Sequence, residues 1–134
     1  MQLSGSIMRT MMKLLPVLGL SMLWTGCVTS HITNLTPSAA PRNPSGQYLF
    51  EMAIDHRQHT IHNDSITPYV VVGFDNYRMV RTPKVANRWE TYVPVPADKD
   101  SVNYYFKVLY EYSKFAGPGE GSRLSQEYKL TIED

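Results

Sequence analysis

Cysteine is almost absent from this chain: Cys27 is the only one. A single thiol can neither close an intramolecular disulfide nor by itself make a metal site, so no disulfide or cysteine cluster staples the fold. Long apolar runs are also missing. The longest, residues 14–24, reaches about half of the roughly 20 residues a membrane-crossing helix needs, and it contains Pro16 and Gly19. No excess of charge of either sign is present, with 13 Lys and Arg against 12 Asp and Glu. That leaves no electrostatic basis for nucleic-acid binding, and no polybasic patch for anionic lipid. Finally, no window has the period of a convincing amphipathic helix, and no serine stands in a Gly-x-Ser-x-Gly elbow.

What is present begins with a leader. Residues 8–13 carry Arg9 and Lys13 and no acid, and the apolar run follows directly. A basic segment, a short apolar segment and then small residues make a secretory signal peptide. At its end Thr25-Gly26-Cys27 resembles the cleavage box of bacterial lipoproteins, where small residues precede a lipid-bearing cysteine. Trp24 stands where that family usually has leucine, and Leu23 lies one position further away, which keeps cleavage after Ser30 open as the alternative. The resemblance covers the first 27 residues and concerns export. It implies a diacylglyceryl group, and usually an N-acyl chain, on Cys27, and two or more chains anchor stably where one does not. It further implies a bacterial cell envelope. Val28, not aspartate, follows the cysteine, which favours the outer membrane in a two-membrane bacterium.

On this reading residues 1–26 are the signal peptide, 27–46 a lipidated terminus with a first edge strand and a Pro-rich tether, and 47–134 the rest of one domain. Arg9 and Lys13 leave with the leader, so 11 of the 13 basic residues remain against all 12 acids. From Cys27 onward 108 of the 134 residues remain, enough for a single core without disulfide or metal.

Beyond Gly46 the apolar period is two. Tyr48, Phe50, Met52 and Ile54 alternate with Leu49, Glu51, Ala53 and Asp55, as in a half-buried strand. Residues 66–74 hold the β-branched run Val70-Val-Val72, suited to a central strand. Residues 77–85, interrupted by Pro83, read as an edge strand. Trp89, Thr91, Val93 and Val95 share one face, and Val102, Tyr104, Phe106, Val108, Tyr110 and Tyr112 form the longest stripe. Gly117-Pro-Gly-Glu-Gly121 reads as a loop before a last strand at 127–132. With a first strand at 29–35, about seven short strands result, at the spacing of an immunoglobulin-like antiparallel β-sandwich. Asp100-Ser-Val102-Asn-Tyr104-Tyr-Phe106 resembles the tyrosine corner of immunoglobulin and fibronectin-type domains. The resemblance implies that the Tyr104 hydroxyl bonds to the chain just upstream and that Phe106 occupies the place of the second antibody cysteine.

Chemistry is sparse in this frame. His56, His59 and His62 recur every third residue and are candidate zinc ligands. On a strand, however, His59 points away from the other two, and on a helix the three spread too widely for one ion, which favours a polar loop. Asp98 and Asp100 fall in a turn, where aspartate caps backbone. Among aromatics, parity sends Tyr92 and Tyr105 outward, and Tyr77 lies near a loop tip, so these three are the candidate sugar-stacking residues of a carbohydrate-binding module. Tyr92 and Tyr105 belong to different sheets of an immunoglobulin topology and would not make one platform. The expectation is a non-catalytic domain without cofactor, membrane-bound through lipidated Cys27. It would be available to an envelope protein partner, with polysaccharide as the alternative and metal-dependent hydrolysis as the third.

Overall fold

The computed structural model describes residues 30–57 and 59–134. The expected leader and Cys27 lie outside the described residues. Among the described residues ten strands follow in order: β1 (Ser30–Asn34), β2 (Ala39–Pro41), β3 (Gln47–His56), β4 (Thr67–Val72), β5 (Asp75–Arg78), β6 (Val80–Arg81), β7 (Arg88–Pro94), β8 (Ser101–Lys114), β9 (Gly117–Leu124) and β10 (Tyr128–Glu133). One sheet has the order β1-β3-β7-β6; the other has the order β2-β10-β8-β4-β5, with β9 also paired to β8. Lettered from the N-terminus, these are A-B-E-D and A′-G-F-C-C′, the two layers of an immunoglobulin-like sandwich. The chain is all-β and immunoglobulin-like, as its periodicity predicts.

The core forms where the period-two faces meet. Tyr48, Phe50, Met52 and Ile54 of β3 are buried, as are Trp89 and Val93 of β7 and Val95 just beyond it. Tyr104, Phe106 and Val108 of β8 and Leu130 and Ile132 of β10 close the cluster from the opposite sheet. The Phe50 ring meets Tyr104 edge-on at 4.7 Å, and Tyr104 meets Phe106 at 5.7 Å. Such edge contacts add about 0.5–1.5 kcal/mol to the burial itself. Phe106 is fully buried in the same cluster, and the Phe50–Tyr104 contact joins the two sheets by aromatic packing.

Four local expectations change. The Pro-rich segment after β1 is more than a tether, since β2 within it pairs in parallel with β10, Ala40 opposite Ile132. The single edge strand expected at 77–85 is two strands in different sheets. Met79, 2% exposed, lies between them, its amide donating to the Pro68 carbonyl at 2.9 Å. A strand residue points its N–H and C=O to the same side, so the N–H that Pro68 lacks would face this edge and not the ladder to β8.

The expected loop at 117–121 is instead strand β9. Its alternate residues Gly119 and Gly121 lie opposite Tyr112 and Tyr110. A Cβ on Gly121 would come within 2.6 Å of the Tyr110 ring, and one on Gly119 within 2.9 Å of Tyr112. The glycines therefore let two tyrosines lie flat on the neighbouring strand, a packing that turn propensity alone does not announce. Gly121→Ala should push the Tyr110 ring off its seat and cost about 1–3 kcal/mol. A shifted urea midpoint at unchanged slope would show it; an unchanged midpoint would mean the ring moves freely.

The tyrosine-corner bond is the fourth. The Tyr104 hydroxyl does not return to the chain just upstream; it accepts a 2.9 Å bond from Asn34 Nδ2 on β1. Tyr104 lies too deep, at 1% exposed, for its hydroxyl to reach the turn before β8, and Asp100 there is engaged by Arg42.

Candidate functional site

The topology separates two ends. At one, β1 starts: Ser30 pairs with His56, the last residue of β3. The Arg123 Nε of β9 donates to Ser30 Oγ at 3.1 Å. Residues 60–65 pack against the β8–β9 hairpin here. Its His62 amide donates to the Glu111 carbonyl at 3.0 Å, and the Ser113 amide donates to the Thr60 carbonyl at 2.9 Å. Ser65 Oγ donates to the His62 carbonyl at 2.6 Å and accepts from the Glu111 amide at 2.8 Å. Beyond these supports the hairpin projects alone, ending on the fully exposed ring of Phe115.

At the other end Arg42 joins three segments. Its Nη2 donates to Asp100 at 2.8 Å, its Nε to Asp134, and its Nη1 to the Ala97 carbonyl at 2.9 Å. These hydrogen bonds, to Asp134 first and then Asp100, raise the Arg42 pKa further. Beside Arg42 the Asn43 amide donates to the Tyr48 hydroxyl at 3.0 Å, which ties the Pro-rich crossing to β3. The same end carries the two-residue turn Gly73-Phe74, closed by the Val72–Asp75 pair. Gly73 adopts φ of +60°, which suits a glycine at the first position of a tight hairpin. Phe74 is fully exposed at that tip. Sequence reasoning assigned Phe74 to the end of a strand; the Gly-Phe-Asp sequence after three valines is the signal that marks it as a turn.

The sequence-predicted residues are scattered. Tyr92, 62% exposed, stands on β7 in one sheet, while Tyr105, half-buried, stands on β8 in the other. They look out from different sheets, so no flat sugar platform joins them. Tyr77 is not at a loop tip: on β5 it pairs with Val70 of β4 and packs against the core. Trp89 is 7% exposed, with the Arg81 guanidinium 4.5 Å from its ring centre.

His56 ends β3 half-buried, His59 lies exposed in the following turn, and His62 bonds through Nε2 to Ser113 Oγ at 2.8 Å. Among the described residues, no three His, Cys, Asp or Glu side chains gather as metal ligands do. The His56 Nδ1 is buried without a partner, beside an apolar cleft lined by Ile32, Ile54, Ile61, Val108 and Tyr110. That cleft measures only about 20 Å³, on the scale of one water and far below an organic ligand.

Burial is the main cause that pushes the Tyr104 hydroxyl above its ordinary pKa of 10.0, opposed by the hydrogen bond from Asn34. Above pH 10 the unfolded chain ionises this phenol while the folded chain resists, so the unfolded state holds fewer protons and stability falls as pH rises. The contribution is complete below that pH. Tyr104→Phe should cost about 1 kcal/mol at neutral pH through the lost bond. It should also flatten the alkaline decline, measured by urea unfolding at a series of pH values; an equally steep decline would assign it to other groups.

No protein-family model matches the chain, and no curated protein matches it. Among solved structures, a chain of murine CRIg is similar at 14% identity, over 78% of this chain and 99% of that one, with a TM-score of 0.46.

Proposed function

We propose that this protein is a lipid-anchored envelope component that displays a non-catalytic immunoglobulin-like domain to a protein partner. The observation that carries the reading is the polarity of the sandwich. Ser30, three residues after Cys27, opens β1 at one end, while the turn bearing Phe74 lies at the other. An anchor at Cys27 thus leaves the Phe74 end furthest from the bilayer. There an exposed aromatic ring stands beside a framework held by Arg42, and aromatic side chains on rigid supports are the usual anchors of protein interfaces. Asp75 closes the turn, exposed Asp98 lies in the loop before β8, and Asp100 and Asp134 are paired with Arg42, so a partner with a basic rim around an apolar pocket would fit this end.

Two measurements separate the two halves of the reading. Cells expressing the full chain and fed labelled palmitate should mark the native protein and not Cys27→Ser; equal labelling would remove the anchor. A photoreactive residue placed at Phe74 should then crosslink to one discrete envelope protein in intact membranes. The same residue at Tyr92 should not, and identical adducts from both positions would count against the far end as the docking surface.

A further inference from the structure

The anchored end has a geometry of its own. The three residues from Cys27 to Ser30 span at most about 11 Å even when fully extended. Ser30 lies within reach of the Arg123 side chain, and Arg123 pairs with Val108. Phe115 stands seven residues beyond Val108 on the same strand and its turn, which carries it about 20 Å further out at the rise of a β-strand. The hairpin tip therefore reaches at least as far out as a tether from Cys27 could end.

We infer that the tip of the β8–β9 hairpin, Phe115 and Ala116 with Lys114 beside them, inserts into the headgroup layer of the membrane and is a second contact with lipid. The inference rests on the lipid-anchor reading. If acyl chains on Cys27 enter the bilayer, the sandwich stands upright only with this tip in the interface.

Its composition suits that layer. Phe115 is fully exposed, and from Tyr112 to Gly119 the hairpin carries no acid. Lys114 rests 5.1 Å from the centre of the Tyr112 ring, so a cation and an amphipathic tyrosine sit just behind the apolar tip. Tyrosine and lysine of this kind occupy the boundary between acyl chains and headgroups, ring inward and polar end out. The acids of this region stand back from it: Glu111 and Glu120 face each other further down the hairpin, Asp64 lies in the 3-10 turn Asn63–Ser65, and Asp55 on β3 pairs with His31 of β1. Arg57 and Lys84, exposed on the neighbouring loops, add cations toward the same surface. A lone apolar tip binds weakly by itself; held at the surface by acyl chains, its high effective concentration makes that weak affinity sufficient.

The lone cysteine provides the test. With Cys27 acylated, a second cysteine is the only free thiol. Phe115→Cys, Ala116→Cys and Asp98→Cys, the last at the opposite end, are each labelled with a polarity-sensitive fluorophore. Each full-length protein is then placed in vesicles of phosphatidylethanolamine and phosphatidylglycerol. The expected result is blue-shifted emission and several-fold weaker iodide quenching at 115 and 116 than at 98. Flotation of the same vesicles reports the anchor separately. Protein that floats while all three labels quench alike overturns the hairpin contact and leaves the anchor standing. Protein that fails to float overturns both.

Discussion

Phe106→Ala should lower the stability of this domain by about 3–5 kcal/mol, the usual cost of truncating a buried aromatic. Domains of this size are stable by about 5–15 kcal/mol in total, so the loss would take a large share of the whole. The expectation is specific to how the sandwich is held together. Phe106 is fully buried: it pairs with Val70 of β4, meets the ring of Tyr104 at 5.7 Å, and lies 6.0 Å from Tyr128. Its amide is engaged as well, donating to Ser125 Oγ at 2.9 Å where β9 gives way to β10. Removing the ring leaves a cavity between two sheets whose backbones are fixed by their ladders, so little collapse can fill it. Phe106→Leu keeps most of the volume and should cost clearly less. Equilibrium urea unfolding of the three proteins decides it. If alanine and leucine were equally mild, the aromatic cluster would not be what holds the two sheets together.

The residues that made the fold legible are those whose burial follows from parity. Tyr48 to Ile54 on β3 and Tyr104 to Val108 on β8 alternate cleanly, because each strand has one face on the core and one on solvent. Elsewhere parity carries no information. In β9, glycine and proline imply a turn by local preference, yet the flat seats they provide for Tyr110 and Tyr112 turn the segment into a strand. Between β5 and β6 the chain changes sheets at Met79, a step governed by which neighbour is free to pair, and nothing in a period-two pattern encodes that. The surface was less legible still. Tyr92 could be sent outward by alternation, but Tyr77 could not be sent inward without knowing that it faces Val70. Phe74 and Phe115 owe their exposure to tight turns at the tips of hairpins, and turn tips are the positions that periodicity describes worst. Arg42, with partners 55 to 92 residues away, is invisible to any local rule.

Thr36→Val is expected to cost about 1–3 kcal/mol, the penalty for stranding a buried backbone donor, although it changes no more than a hydroxyl to a methyl. Thr36 sits where the chain leaves the first sheet for the second, between β1 and β2, and is 7% exposed. Its hydroxyl accepts a bond from the Glu51 amide at 2.9 Å and donates to the Glu51 carbonyl at 3.2 Å, taking the place of a ladder residue that the departing strand no longer supplies. The carbonyl has a second donor in the Leu35 amide at 3.0 Å; the Glu51 amide has only the hydroxyl. Asn34 completes the corner, its side-chain oxygen accepting from the Thr36 amide at 3.0 Å while its amide nitrogen holds Tyr104. Valine fits the space and removes the acceptor, so the loss isolates the hydrogen bond from the packing. Thr36→Ser keeps the acceptor and should recover most of the stability. Hydrogen exchange at the Glu51 amide provides the local readout, faster in the valine protein and near normal in the serine one. Exchange unchanged by valine would mean that β3 holds its edge without the hydroxyl, and that the switch between sheets is fixed by the β2–β10 pairing alone.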